Sequence, residues 1–282
     1  VAVSLNKKAK FSLRVNPNVD ASTHEKISTG RKTDKFGVDI DLARQIYKTA
    51  SKLSGLEIYG ISTHIGSQIT KVAPFEKAFA KLRQLCLELR SDGHKISGLD
   101  FGGGIGILYK DESSDEFDNL IQNYANLIRE ITKDLDVKIT IAPGRAIVGN
   151  AGILVTKVLF LKEASTKNFV IVDTAMNDLM RPGLYDSYHE ILPIVNKSGQ
   201  QATFDLAGPV CESTDILAKN RQLVLPKTDD LIAICSAGAY GSSLSNEYNC
   251  RPLIPEVLVD GDKFKIIRKR PTFEEMLRLE DF

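Results

Sequence analysis

Between residues 11 and about 145 the chain alternates short apolar, β-branched stretches with longer ones whose apolar residues recur at helical spacing, and this alternation constrains the fold most strongly. Residues 11–15 read as a strand. Ile40, Ala43, Ile46, Tyr47 and Ala50 mark one face of a helix over 39–53, which Ser54-Gly55 ends. Further strands are expected over 56–63, 96–101 and 137–142, with helices over 75–89 and 117–135. Such alternation predicts parallel strands with helices packed outside. Four strands and three helices make about half of an eight-fold β/α barrel, and an open half exposes an unpaired strand edge. The other half is expected from a preceding segment or from a separate chain. The chain starts at Val1 and runs at once into an apolar strand pattern, which reads as a cut, and half a barrel alone is expected to aggregate.

After residue 150 the rhythm changes. Stretches 153–164, 169–173, 202–206, 230–236 and 256–270 are rich in Val, Ile and Leu, and turn signals such as Asp260-Gly261-Asp262 break them up. The expected organisation is therefore a partial β/α barrel over 1–150 followed by an antiparallel β domain over 151–282.

Composition narrows the partners. Thirty-seven Lys and Arg against 36 Asp and Glu give a formal charge of +1, so no basic excess points to nucleic acid or an anionic membrane surface. No apolar run approaches the roughly 20 residues needed to span a bilayer, and a cytoplasmic location is expected. The four cysteines, Cys86, Cys211, Cys235 and Cys250, are too few and too widely spaced for a disulfide framework or a paired-cysteine zinc site. No metal site is expected.

Several groups could carry chemistry. Leu99-Asp100-Phe101-Gly102-Gly103-Gly104-Ile105-Gly106 runs a strand straight into glycines, forming either a plain tight turn or a concavity of backbone N–H groups for an anion. Ile141-Ala142-Pro143-Gly144-Arg145 ends another expected strand, and His64 ends a third, so all would face one barrel mouth. There His64 either is structural or stacks on a flat cofactor. Arg181 and Tyr185 share a turn-rich stretch, where arginine suits bidentate capture of a carboxylate. In Gly208-Pro209-Val210-Cys211-Glu212-Ser213 a thiol sits beside a carboxylate in a loop ill-suited to burial, whereas Cys86 and Cys235 lie in apolar segments and read as buried.

Taken together, the motifs resemble the meso-diaminopimelate decarboxylases. The matching stretches are Leu13-Arg14-Val15-Asn16-Pro17, Ser28-Thr29-Gly30, Lys35-Phe36-Gly37, His64-Ile65-Gly66-Ser67, the three glycines from Gly102, Pro143-Gly144-Arg145, Met180 through Tyr185, Cys211-Glu212-Ser213, Gly238-Ala239-Tyr240-Gly241, and Tyr248-Asn249 followed by Arg251-Pro252. They occur in the family's order. The resemblance implies a lyase that converts meso-2,6-diaminopimelate to L-lysine and carbon dioxide with pyridoxal 5'-phosphate. It implies that His64 stacks on the pyridoxal ring and that Gly104, Pro143, Gly144, Arg145 and Tyr248 hold the cofactor. Arg145, Arg181, Tyr185, Glu212 and Tyr248 would bind substrate. Cys211 would donate a proton in the partner's active site, within a homodimer of shared sites.

The sequence also departs from that pattern. The family's lysine that attaches the cofactor lies in a front segment with no counterpart here, and Ala142 stands where the family has a glutamate that pairs with the pyridine nitrogen. A non-catalytic remnant or binding protein of the same fold, and a related basic-amino-acid decarboxylase, are the alternative expectations.

Overall fold

The computed structural model describes residues 1–21, 29–32, 34–110, 114–165, 167–278 and 280; Ser28 of the Ser28-Thr29-Gly30 motif lies outside them. The chain divides into two units, Val1–Ile147 and Val148–Phe282.

The first unit is built on a parallel sheet. Its strands are β1 (Ala9–Asn16), β2 (Val38–Asp39), β3 (Leu56–Thr63), β4 (Gly98–Asp100) and β5 (Lys138–Thr140), in the order β2-β1-β3-β4-β5. Each neighbouring pair is parallel. The connecting helices are α1 (Ala43–Ala50), α2 (Ala73–Ser91) and α3 (Ser114–Thr132), and α4 (Gly144–Val148) follows β5. The helix expected over 39–53 is shorter than its apolar pattern. Asp39 ends β2 and accepts the Asp41 N–H at 3.1 Å, which tightens residues Ile40–Leu42 into a 3-10 turn before α1 begins.

Helix α2 shows why the segment folds as it does. Pro74 sits in its first turn, where its missing N–H costs nothing. Phe75, Ala78, Phe79, Leu82, Leu85, Cys86 and Leu89 then recur at three- and four-residue spacing and are all buried. Phe79 meets Phe101 edge-on with ring centroids 4.6 Å apart, and Phe75 meets Tyr124 of α3 at 4.9 Å. Each large side chain fully buried in this way contributes about 1.5–3 kcal/mol. On the opposite flank, the β1–β3 register shifts between Phe11 and Ser12, whose partners Ile58 and Gly60 skip Tyr59. The Tyr47 hydroxyl fills the gap, accepting the Leu13 N–H at 3.1 Å and donating to the Gly60 carbonyl.

The second unit is mainly β. Its strands are β6 (Leu154–Glu163), β7 (Asn168–Val172), β8 (Ile191–Pro193), β9 (Gln201–Ala207), β10 (Ile216–Val224) and β11 (Leu231–Ile234), in the order β10-β9-β7-β6-β11-β8. A short helix α5 (Arg181–Tyr185) precedes β8, a hairpin of β12 (Glu256–Asp260) and β13 (Lys263–Arg268) turns at Gly261, and α6 (Phe273–Leu277) follows. The core is a layer of Val158, Val170, Val172, Phe204, Leu206, Ile232 and Ile234.

Two features differ from the expected antiparallel domain. Strands β7 and β9 run parallel, because β8 between them joins the far side of the sheet against β11. Strands β8 and β10 were not anticipated: β8 is three residues long, and β10 carries the polar run Lys219-Asn220-Arg221-Gln222, with Asn220 at φ +52° in an irregular register. Among the described residues no helix is long and apolar enough to cross a membrane.

Candidate active site

Because β3, β4 and β5 are adjacent and parallel, their C-terminal ends lie along one edge of the sheet. His64, the glycine run and the Ala142-Pro143-Gly144-Arg145 segment follow those three ends directly. The glycines are there because backbone fills the space a side chain would need. A Cβ on Gly102 would lie 2.3 Å from the Thr63 carbonyl oxygen, one on Gly103 2.1 Å from that of Ala142, and one on Gly104 2.3 Å from that of Gly66. Gly102 and Gly104 also take φ of +66° and +103°. The run therefore joins three strand ends. Gly102 donates its N–H to Asp100 Oδ1 at 2.9 Å and Gly103 donates to His64 Nδ1 at 3.1 Å, so these two N–H groups serve the fold and not an anion.

That second bond orients His64. With Nδ1 accepting, the neutral ring carries its proton on Nε2. Burial, and then the nearby Arg14 cation, hold its pKa below the ordinary histidine value, with Asp100 opposing. A half-buried neutral imidazole suits stacking on a flat ring.

Arg145 lies in α4 and is buried. Its Nη1 donates to the Tyr109 hydroxyl at 2.5 Å and its Nη2 to Ser67 Oγ at 3.1 Å. Gly144, at the start of the same helix, has open space where a Cβ would be. Sequence reasoning assigned no role to Ser67 or Tyr109. Ser67 closes the His64 motif and could have been found there, whereas no spacing pattern points to Tyr109. This unit thus offers a neutral imidazole, a buried guanidinium and an open glycine along one sheet edge, a set that fits a flat ring bearing a phosphate. At Ala142 the side chain has no acceptor for a ring N–H.

The second unit gathers a different group. Glu212 Oε1 accepts from Thr214 Oγ1 at 2.7 Å and Oε2 from the Tyr248 hydroxyl at 2.8 Å. These bonds pull the Glu212 carboxyl below its ordinary pKa, and the same contact raises Tyr248. Cys211 is exposed, as its loop predicts, and Asn249 Nδ2 stands 3.9 Å from its sulfur. Arg181 and Tyr185 are the first and last residues of α5. Arg181 is buried with Nη1 2.8 Å from His189 Nε2, a partner with no sequence signal. Of the two cysteines expected to be buried, Cys86 is and Cys235 is only half-buried.

Comparison with known proteins decides the family. Residues 3–149 match the model of the pyridoxal-dependent decarboxylase pyridoxal-binding domain. Over 280 residues the chain is 46% identical to the diaminopimelate decarboxylase of Zymomonas mobilis, covering 99% of this chain and 66% of that one. The chain belongs to the diaminopimelate decarboxylase family. The Vibrio cholerae diaminopimelate decarboxylase is likewise 46% identical over 281 residues. A crystal structure of the Helicobacter pylori diaminopimelate decarboxylase complexed with L-lysine superposes with a TM-score of 0.92 at 41% identity, covering 99% of this chain and 68% of that one. A lysine decarboxylase from Selenomonas ruminantium, 23% identical, shares the fold with a TM-score of 0.78. The chain spans about two thirds of the length of the family members it matches.

Proposed function

We propose that the chain is the greater part of an enzyme that decarboxylates meso-2,6-diaminopimelate to L-lysine and carbon dioxide with pyridoxal 5'-phosphate. The observation that carries this reading is the single sheet edge on which neutral His64, held by Gly103, follows one strand and buried Arg145, held by Ser67 and Tyr109, follows another. When bound, pyridoxal phosphate supplies a ring that takes up the electron pair left on the substrate's α-carbon as carbon dioxide departs. With the cofactor bound, His64 would stack on that ring, and Gly104, Pro143, Gly144, Arg145 and Tyr248 would hold it. Arg145, Arg181, Tyr185, Glu212 and Tyr248 bind substrate. The lowered Glu212 carboxyl stays ionised at neutral pH and receives the distal ammonium group. Arginines far from the reacting carbon orient the substrate for bond cleavage, and Cys211 delivers a proton from Sγ to the α-carbon.

The exposed Cys211 and Glu212 support a homodimer in which this loop serves the partner's site. Four free thiols, two of them exposed, support a reducing cytoplasm. Ala142 favours a second reading, a binding protein of the same fold that does not turn substrate over.

The test offers meso-diaminopimelate, ornithine and arginine to the chain with pyridoxal phosphate, alone and with a polypeptide carrying the family's lysine-bearing front segment. Carbon dioxide release from meso-diaminopimelate in preference to the other two is expected once that segment is present. Preferential release from ornithine or arginine overturns the substrate assignment. Binding of meso-diaminopimelate without release, in both arms, selects the second reading.

A further inference from the structure

The loop that presents Cys211 and Glu212 joins β9 to β10. Residues 211–214 are exposed, but Asp215, which closes the loop, is only 2% exposed. A carboxylate is costly to bury unless hydrogen bonds replace its water. Here Oδ2 accepts the Val210 N–H at 2.7 Å, and Oδ1 accepts the Met176 N–H at 2.6 Å. Val210 belongs to the Cys211 loop, and Met176 to the separate segment between β7 and α5. One carboxylate therefore ties two loops, one to each oxygen. The backbone completes the turn: Gly208 N–H donates to the Asp215 carbonyl at 3.0 Å, Asp215 N–H to that of Glu212 at 3.0 Å, and Glu212 N–H to that of Val210 at 2.8 Å.

The Met176 segment also anchors the stretch that carries Tyr248. Arg251 donates to Asn177 Oδ1 at 3.0 Å and to the Asp173 carbonyl at 2.6 Å, while Asn177 and Asn246 exchange hydrogen bonds of 3.0 and 3.1 Å. Gly208 faces the Asp215 carboxylate. A Cβ there would lie 2.4 to 2.7 Å from the three atoms of the Asp215 carboxylate, so glycine is the residue that leaves the carboxylate its place.

We infer that Asp215 is a positioning residue, a buried clamp that holds the Cys211 and Glu212 loop on the Met176 segment and thereby sets Glu212 against Tyr248. Its catalytic meaning rests on the reading given under Proposed function; its geometry does not. The chemistry requires two acceptors and no donor, which a carboxylate provides. Burial and the nearby Asp178 push the Asp215 carboxyl up, while the Val210 and Met176 N–H groups and Arg251 pull it back, so the hydrogen bonds offset part of the cost of burial.

Two variants of the full chain separate clamping from bulk stability. Asp215→Asn keeps the shape but turns an NH2 group toward one of the two N–H donors, and Gly208→Ala displaces the carboxylate while leaving it intact. In both, 13C-tyrosine NMR, with the Tyr248 signal assigned through Tyr248→Phe, should show Tyr248 titrating lower, because the Glu212 contact that raises it is lost. Folded variants that keep the parent Tyr248 titration overturn the proposal. The parent alone also decides: the Val210 and Met176 amides should exchange slowly with deuterium, and fast exchange at both overturns the clamp even if neither variant folds. None of these readouts needs turnover, so a parent that releases no carbon dioxide counts against the proposed function and not against the clamp.

Discussion

Arg181 Nη1 lies 2.8 Å from His189 Nε2, and both side chains are buried. A guanidinium can only donate, so Nε2 accepts, and the ring proton sits on Nδ1, which lies 2.8 Å from the Cys235 carbonyl oxygen and donates to it. The histidine thus couples the first turn of α5 to the end of β11 in a single tautomer. Replacing it with phenylalanine removes an acceptor from a buried cation, and His189→Phe should lower stability by about 2–3 kcal/mol in urea denaturation. His189→Gln, which retains an acceptor, should recover part of that loss. Equal stability of the phenylalanine variant and the parent would show that the contact holds nothing.

Tyr47 gives a prediction with a defined pH window. Burial pushes its phenol up to about 12, and Tyr124 is pushed equally far. A raised pKa in the folded state means that the stabilisation is fully present below the unfolded value of about 10 and is lost as pH rises through about 12. Alkaline denaturation of the first unit should therefore steepen between those values. Tyr47→Phe leaves the Leu13 N–H and the Gly60 carbonyl unmatched, costing about 1–3 kcal/mol near neutrality, and should flatten part of the alkaline slope while Tyr124 retains the rest.

For His64 the sign is opposite. Its folded pKa is depressed, so stability is complete above the unfolded value near 6.5 and falls as pH drops through the lower folded value. Proton NMR of the imidazole should give a midpoint below 6.5, and Arg14→Gln, which removes the second cause, should move it upward. A midpoint at or above the free-histidine value would contradict the neutral stacking ring.

Ala142 is exposed, and its backbone is held by an N–H donated to the Gly102 carbonyl at 2.7 Å, so a longer side chain fits without moving the strand end. Ala142→Glu in an enzyme completed by the family's front segment supplies a charged acceptor for a ring N–H, worth about 1.5–3 kcal/mol. Carbon dioxide release should rise by roughly ten- to a hundredfold. Equal turnover of the two versions would show that the site does without that carboxylate.

The fold was legible where local periodicity and tertiary packing agree. The strand expected over 56–63 is β3 residue for residue, and the α2 pattern of Phe75, Phe79, Leu82 and Leu89 is the buried face. It was not legible in β10, where polar residues 219–222 pair against β9 through an irregular register that no alternation encodes. In the same way, residue type and order nominated His64, Arg145, Arg181, Cys211, Glu212 and Tyr248, but not the groups that hold them. Ser67, Tyr109, His189 and Asp215 stand 78, 36, 8 and 39 residues from the partners they engage.

The sequence by itself determined the alternating architecture, the glycines at the strand ends and the membership of a decarboxylase family, because periodicity, φ preference and motif order are properties of neighbouring residues. Only the tertiary structure decided that the glycine N–H groups at 102 and 103 are spent on Asp100 and His64, that β7 and β9 run parallel, and that a buried carboxylate at 215 clamps two loops. Each of these depends on which backbone donors and acceptors distant segments leave for one another once water is excluded, and that pairing exists only in the folded chain.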